Sequence, residues 1–266
     1  MVDCIWNERL GEGPLVAVAV HDGHGLRDDL TPLMNLTAQE RLREEDPFTG
    51  SWTNVAPTQL IGTRSRFEVD LNRPREKAVY RRPEDAWGLP VWNQELPESV
   101  VAESLAEYDL FFDRLREVLD EKVRRYGRFV VLDLHTYNHR RLGSDGPVAD
   151  PISNPQVNIG TGTMDRTMWG DVVDGFMFDL QSFNFPIGPL DVRENVKFQG
   201  GNIPRWIHEN YGESGCAIAV EFKKFFMDEW TGAPDAELTS SIGEAIGSTV
   251  PGIMNRLSAV PTGHAA

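Results

Sequence analysis

The chain has 266 residues and a formal charge of −15, from 26 Lys+Arg against 41 Asp+Glu, and its 40% hydrophobic content is enough for a sizeable core in one large α/β domain or two small ones. The acidic balance argues against a nucleic-acid backbone as partner, although a local arginine cluster can invert the field of a single cleft. No apolar run approaches the roughly 20 residues of a membrane span; no basic, apolar, small-residue series suggests an export signal; and Cys4 and Cys216, the two cysteines, read as reduced cytoplasmic thiols.

In chain order, Leu15-Val16-Ala17-Val18-Ala19-Val20 is a short apolar run between Gly13-Pro14 and His21-Asp22-Gly23. That pattern predicts a strand buried on both faces. Segment 27–46 is polar and acidic, expected as loop with some helix, and Gln59–Asp70 carries weak strand alternation. The spacing predicts a helix over 97–126, with Pro97 in the first turn, Val101, Leu105, Tyr108, Phe112, Leu115 and Leu119 at steps of three and four, and Gly127 as the stop. Phe129–Leu134 reads as a second buried strand stopping at His135, and Cys216–Val220 as a third stopping at Glu221. Helices are expected at 163–175, 203–211 and 236–256, the last up to an interruption at Pro251. No linker divides the chain, so residues 1–256 are expected to form one domain, followed by a small, polar, flexible tail at 257–266 that includes His264. Strands alternating with long helices predict a three-layer α/β fold, its sheet mixed but mostly parallel, with helices on both faces. Ligands bind such sheets beyond the carboxyl ends of the strands, where His21, His135 and Glu221 are expected.

Two imidazoles three apart, His21 and His24, can converge on one metal if the loop turns tightly at Gly23; a polar loop with chance histidines is the alternative. With six histidines in the chain, His135 after another strand favours a three-ligand site with an open water position. Asp133 either orients a ligand histidine or is simply a buried, hydrogen-bonded carboxylate. The stretch Arg64-Ser65-Arg66 through Asn72-Arg73-Pro74 offers donors that suit a carboxylate, but composition alone reads it as surface salt bridges. His139-Arg140-Arg141 reads as a solvated loop within reach of an anion. Glu221 is a proton shuttle at a cleft mouth or an ion-pair partner of Lys223 or Lys224. Gln199-Gly200-Gly201 is a loop that permits backbone approach to a ligand.

Together, His21-Asp22-Gly23-His24, Ser65 through Pro74, Asp133-Leu134-His135-Thr136, Asn195 through Gly201, and Val220-Glu221-Phe222 through Glu229 resemble the N-formylglutamate amidohydrolase family over roughly residues 15–230. The altered opening, Val20 through His24, places the chain in an outlying branch. That family is similar to the zinc carboxypeptidases and aspartoacylases and implies a phosphorylase/hydrolase-like fold. The relatives' order is a His-x-x-Glu ligand pair, a polarising Arg, an Asn-Arg clamp, a last His ligand and a Glu base. The resemblance therefore implies one zinc held by His21, His24 and His135, with Glu221 as base and Arg66 on the oxyanion. Asn72, Arg73 and Arg64 would hold the substrate. Because His24 stands where the relatives have Glu, an acidic residue among Glu44, Glu45 and Asp46 is the alternative second ligand. The implied reaction is hydrolysis of the C–N bond of a small, carboxylate-bearing N-acyl amino acid. A carboxypeptidase-like peptidase or deacylase, and a non-catalytic metal- or ligand-binding protein on the same scaffold, are the alternatives.

Overall fold

The structure, a computed structural model, describes residues 4–260. Its strands are β1 (Trp6–Arg9), β2 (Leu15–Ala19), β3 (Thr58–Gly62), β4 (Phe129–Tyr137), β5 (Val157–Gly160), β6 (Val192–Glu194) and β7 (Gly215–Lys223). Its α-helices are α1 (Ala38–Glu44), α2 (Thr49–Trp52), α3 (Glu98–Tyr126), α4 (Arg166–Ser182), α5 (Asn202–Tyr211) and α6 (Ala236–Ala259). The strands form one sheet in the order β1-β3-β2-β4-β7-β5-β6. The central β3-β2-β4-β7 block is parallel; β1 and β5 join it antiparallel, and β6 runs parallel to β5.

Every residue of β2 and of β4 is buried, as their unbroken apolar runs require when helices cover both faces. Alternation then assigns the layers. Leu15, Ala17, Val130, Leu132 and Leu134 pack with Trp169 and Phe176 of α4 and with Ile242 and Ile246 of α6. Val16, Val18, Phe129 and Val131 pack with Phe111 and Leu115 of α3 and with Ile203 and Ile207 of α5. Helix α3 starts after Pro97 and ends at Gly127 as expected.

The two site strands run farther than expected. Strand β4 continues past His135 to Tyr137, and β7 past Glu221 to Lys223, because ladder pairing continues through both residues. His135 and Glu221 therefore lie inside the carboxyl-terminal ends of neighbouring strands, directly opposite each other. Helix α6 runs through Pro251 to Ala259, beyond the boundary expected at 256. Pro251 removes one backbone donor, but Ile246 and Thr249 before it and Ile253 and Leu257 after it are buried, so packing holds both halves in line. The remainder of the expected tail, residues 261–266 with His264, lies outside the described residues. Of the weak pattern at Gln59–Asp70, only the start belongs to a strand; Arg64–Asp70 is turn and coil. No helix of the described residues is long and apolar enough to cross a membrane.

Phe176 is completely buried between the sheet and α6. Phe176→Ala is expected to cost about 3–5 kcal/mol of folding stability, read as a lowered urea midpoint with little change in slope.

Candidate metal centre and substrate cavity

The parallel block delivers three segments to one end of the sheet: residues 20–24 after β2, the end of β4 and the end of β7. On β4 the face shared with α3 and α5 reads Phe129, Val131, Asp133, His135, so it changes from apolar to polar as it leaves the core. On β7 the equivalent face carries Glu221 opposite His135. The antiparallel β5 sets Asn158 opposite Glu221 on the other side, and the Asn158 amide fixes the Lys197–Phe198 backbone.

His21 and His135 have ring centroids 5.0 Å apart. His21 Nε2 lies 2.7 Å from Asp70 Oδ1, and His135 Nε2 lies 2.9 Å from Asp133 Oδ1. An ionised carboxylate only accepts, so each Nε2 donates to its own carboxylate and each Nδ1 is left to a second partner. Both Nδ1 atoms face the same atom: Asp46 Oδ2 is 3.3 Å from His21 Nδ1 and 3.0 Å from His135 Nδ1. The other Asp46 oxygen accepts from Thr136 Oγ1 at 2.8 Å. Burial alone would raise the Asp46 pKa, but hydrogen bonds and charge from His135 and His21 hold it well below the usual carboxylate range. Burial alone would lower that of His135, and the charges of Asp133 and Glu221, with hydrogen bonds to Asp133 and Asp46, raise it well above the usual histidine range. Three acceptor atoms aimed at one point require a cation there, a proton or a metal.

The donor set fits a metal. Among the described residues, His21, Asp46 and His135 form a group whose ligand atoms all lie within 4.8 Å of one another. Two imidazoles and a carboxylate are a donor set of catalytic zinc, and a carboxylate behind each imidazole is the usual second layer.

His24 is not brought into this group. Its Nδ1 is 2.6 Å from Glu45 Oε2, its Nε2 is 3.2 Å from Arg41, and its side chain is 40% exposed. Asp46, the last of the three acidic alternatives, stands in the group instead. The reason is local: Glu45 is fully buried, accepts from both His24 and Ser65, and turns the chain so that Asp46 faces inward. Gly23 serves close approach rather than left-handed backbone, since a Cβ there would lie 2.3 Å from the Thr63 carbonyl carbon.

Asp70 organises the arginine stretch. It accepts from His21, from Arg66 at 2.8 Å, from the Tyr80 hydroxyl and from the Asn72 backbone at 2.9 Å. Burial would raise its pKa; Arg66, His21 and Tyr80 keep it well below the ordinary range. Burial likewise opposes the Arg66 charge, and Asp70 overrides it, keeping the guanidinium cationic. Among the described residues, Arg66 Nε has no acceptor. Asn72 accepts from Ile203 N–H at 2.9 Å and places Nδ2 3.1 Å from His135 Nε2. Gly201 makes room for this, because a Cβ there would meet the Asn72 amide at 2.3 Å. Arg64 is directed elsewhere: its Nε is 3.9 Å from Glu68 and it does not line the cavity.

These groups enclose a cavity of about 290 Å³. His21, Asp46, His135 and Glu221 meet Arg66, Asn72, Arg73, Arg141 and Lys224 on its walls, with Trp87, Tyr137 and Phe198 among the aromatic lining. Gln199, Gly200 and Gly201 complete it. Glu221 is 9% exposed, and burial pushes its pKa up to about 7, with His135 and Arg66 opposing and Asp46 and Asp133 reinforcing. It pairs with neither Lys223 nor Lys224: Lys223 donates to Asn154 O, and Lys224 to Arg43 O and Glu45 O. Arg73 has loose partners, Asp85 O at 3.4 Å and Asp70 at 3.8 Å, and lies near the ring of half-exposed Trp87. Arg141 reaches the cavity from a turn whose backbone is held by Glu229, while His139 stays on Glu229.

Asp46 and Asp70 are the groups that sequence reasoning underrated. Asp46 was one acid among three, and Asp70, four residues after Arg66, could have been read as its ion-pair partner. Lys224 and Trp87 carry no local signal of a cavity role.

The sequence matches the N-formylglutamate amidohydrolase family profile over residues 13–227. No curated protein matches. Among solved structures, an N-formylglutamate amidohydrolase from Ralstonia eutropha JMP134 aligns over 97% of this chain and 98% of its own, with a TM-score of 0.73 and 18% identity. A gene product of Agrobacterium tumefaciens aligns over 93% and 95%, with a TM-score of 0.63 and 17% identity. At these identities the structural likeness is one of fold, and the family match extends over most of the sequence. The chain belongs to the N-formylglutamate amidohydrolase family and is a hydrolase acting on C–N bonds.

Proposed function

We propose that the chain is a zinc-dependent amidohydrolase of small N-acyl amino acids with a free carboxylate, N-formylglutamate being the first candidate. The observation that carries this reading is the convergence of His21 Nδ1, His135 Nδ1 and Asp46 Oδ2 in one cavity with a Glu221 whose pKa lies near neutrality. His21, Asp46 and His135 would hold the zinc. When bound, zinc supplies Lewis acidity and lowers the pKa of a coordinated water toward about 7.

The protein's own groups do the rest. Glu221 takes a proton from the attacking water as its oxygen bonds to the acyl carbon. The carbonyl electron pair moves onto oxygen, where the permanently cationic Arg66 stabilises the charge. The C–N bond then breaks, its electron pair goes to nitrogen, and Glu221 returns the proton to the leaving amine. The products are the acyl carboxylate and the free amino acid. A carboxyl group with a pKa near 7 suits both directions of transfer. Arg73, lacking a close carboxylate partner, grips the substrate carboxylate, and Asn72 Nδ2 stands beside it as a neutral donor. The setting fits a reducing cytoplasm, since Cys4 and Cys216 are both free.

Elemental analysis of untagged protein should find about one zinc per chain, lost in His135→Ala and in Asp46→Ala; metal-free wild type after zinc loading would sink the reading. Glu221→Gln should retain zinc and lose about 10³-fold or more in kcat on the best substrate from an N-acyl amino acid panel. Arg73→Ala should raise KM for that substrate about 10-fold or more, with kcat nearly unchanged. Glu221 also sets a pH dependence in metal-free protein. Its folded pKa, about 7, is raised from 4.5, so the folded state binds more protons between these values. Stability therefore falls as pH rises from 4.5 to 7 and is level above that window. Calorimetric melting temperatures should show less decline across this window in Glu221→Gln than in wild type.

A further inference from the structure

Lys224 is 1% exposed and lies on the cavity wall. A buried ammonium is costly unless a counter-charge compensates it. Its Nζ donates to Arg43 O at 2.6 Å and to Glu45 O at 2.7 Å, two neutral carbonyls. An ammonium has three donors, so one remains. Among the described residues, no carboxylate forms an ion pair with it within 4.0 Å. The anions that influence it are Asp46, Glu44 and Glu229, and each is engaged elsewhere. Asp46 faces the two imidazoles and Thr136. Glu44 pairs with Arg141 at 3.4 Å, and Glu229 accepts from the backbone of His139 and Arg140. The metal centre proposed above would draw further on the Asp46 charge.

The cavity cations differ in depth. The side chains of Arg73 and Arg141 are 30% and 52% exposed, near the mouth, whereas Lys224 and Arg66 are enclosed beside the imidazole–carboxylate group. The mouth cations suit the substrate's carboxylate, which is charged before and after reaction. The enclosed cations suit charge that appears only during it. We propose that Lys224 is a further catalytic residue, contacting the acyl oxygen and, with Arg66, stabilising the negative charge that develops there. This rests on the amidohydrolase reading of the same cavity. It makes the acyl half of the substrate, rather than the amino acid, the partner of the buried ammonium, and the released acyl carboxylate its last ligand.

The test is Lys224→Met, which keeps length and removes the charge. Kinetics on the best N-acyl amino acid should show kcat down about 10²–10³-fold with KM changed less than about 3-fold. Zinc affinity, measured by chelator competition, should match wild type. Unchanged kcat would overturn the proposal, and so would a kcat loss accompanied by a comparable loss of zinc affinity, which would assign Lys224 to holding the Arg43–Asp46 backbone. A second measurement does not depend on turnover. Cobalt-loaded protein titrated with formate, an acyl-carboxylate product, should show a visible-spectrum Kd at least 10-fold weaker in Lys224→Met; equal values overturn the contact. Wild type that hydrolyses no member of the panel would remove the amidohydrolase reading, while the formate titration still decides the role of Lys224.

Discussion

The Asp70 carboxylate is the interaction on which the site depends. It is completely buried, and it receives His21, Arg66, Tyr80 and the Asn72 backbone at once. A buried carboxylate is tolerable when its lone pairs are filled and a cation stands beside it, and Asp70 meets both conditions. The same bonds determine what its partners do. His21 must present Nδ1 to Asp46 because Nε2 is committed. Arg66 is held beside the imidazoles and kept cationic. Tyr80 braces the loop that carries Trp87, whose ring lies near both Arg66 and Arg73. His21, the Arg66 guanidinium and the cavity rim are thus linked through one side chain.

The sheet supplies what Asp70 cannot, the relation between His135 and Glu221. They are register partners on parallel strands, so their separation follows from the ladder rather than from loop packing. Asp133 lies two residues before His135 on the same face, and the pleat brings its carboxylate to the imidazole without a further element. Strands position groups more tightly than loops do, and here both Glu221 and His135 are on strands. His21 and Asp46 come from segments tied to that frame: Asp46 N–H donates to His21 O at 2.9 Å, and Lys224, directly after β7, holds the carbonyls of Arg43 and Glu45.

The three-layer α/β fold was legible because β2 and the starts of β4 and β7 are apolar runs and α3 has clear periodicity and stops. Strands β1, β5 and β6 are short, at four, four and three residues, and show little pattern of their own. They exist through pairing, which a local window does not contain. Helix α6 outlasted Pro251 for the same reason, since tertiary burial outweighed a local penalty. His21, His135, Glu221, Arg66 and Arg73 line one cavity, and each was expected near the others from its place in the chain or from the family pattern. His24 lies outside the group of His21, Asp46 and His135, because a three-residue spacing does not say which way a loop turns. Its direction depends on Glu45 and Ser65, 21 and 41 positions away in the sequence. The charge pairs were readable both ways: Arg66 with Asp70 is an ion pair, as composition suggested, and a working part of the cavity.

An acidic chain whose cavity is lined by Arg66, Arg73, Arg141 and Lys224 poses an apparent conflict, and length scales resolve it. At physiological ionic strength, exposed charges are screened beyond about 8 Å, so a formal charge of −15 spread over the surface acts weakly at a distance. Inside the cavity the opposite holds. Charges enclosed there are screened much less than exposed ones, so each contact charge counts for more. Two of the acids there are consumed locally, Asp46 by the imidazoles and Glu44 by Arg141, while Glu221 is held near neutrality by burial. What remains for a ligand is Arg73 at the mouth and Arg66 and Lys224 within. The surface charge describes the molecule as a solute; the sign of the cavity is decided by which carboxylates already have partners.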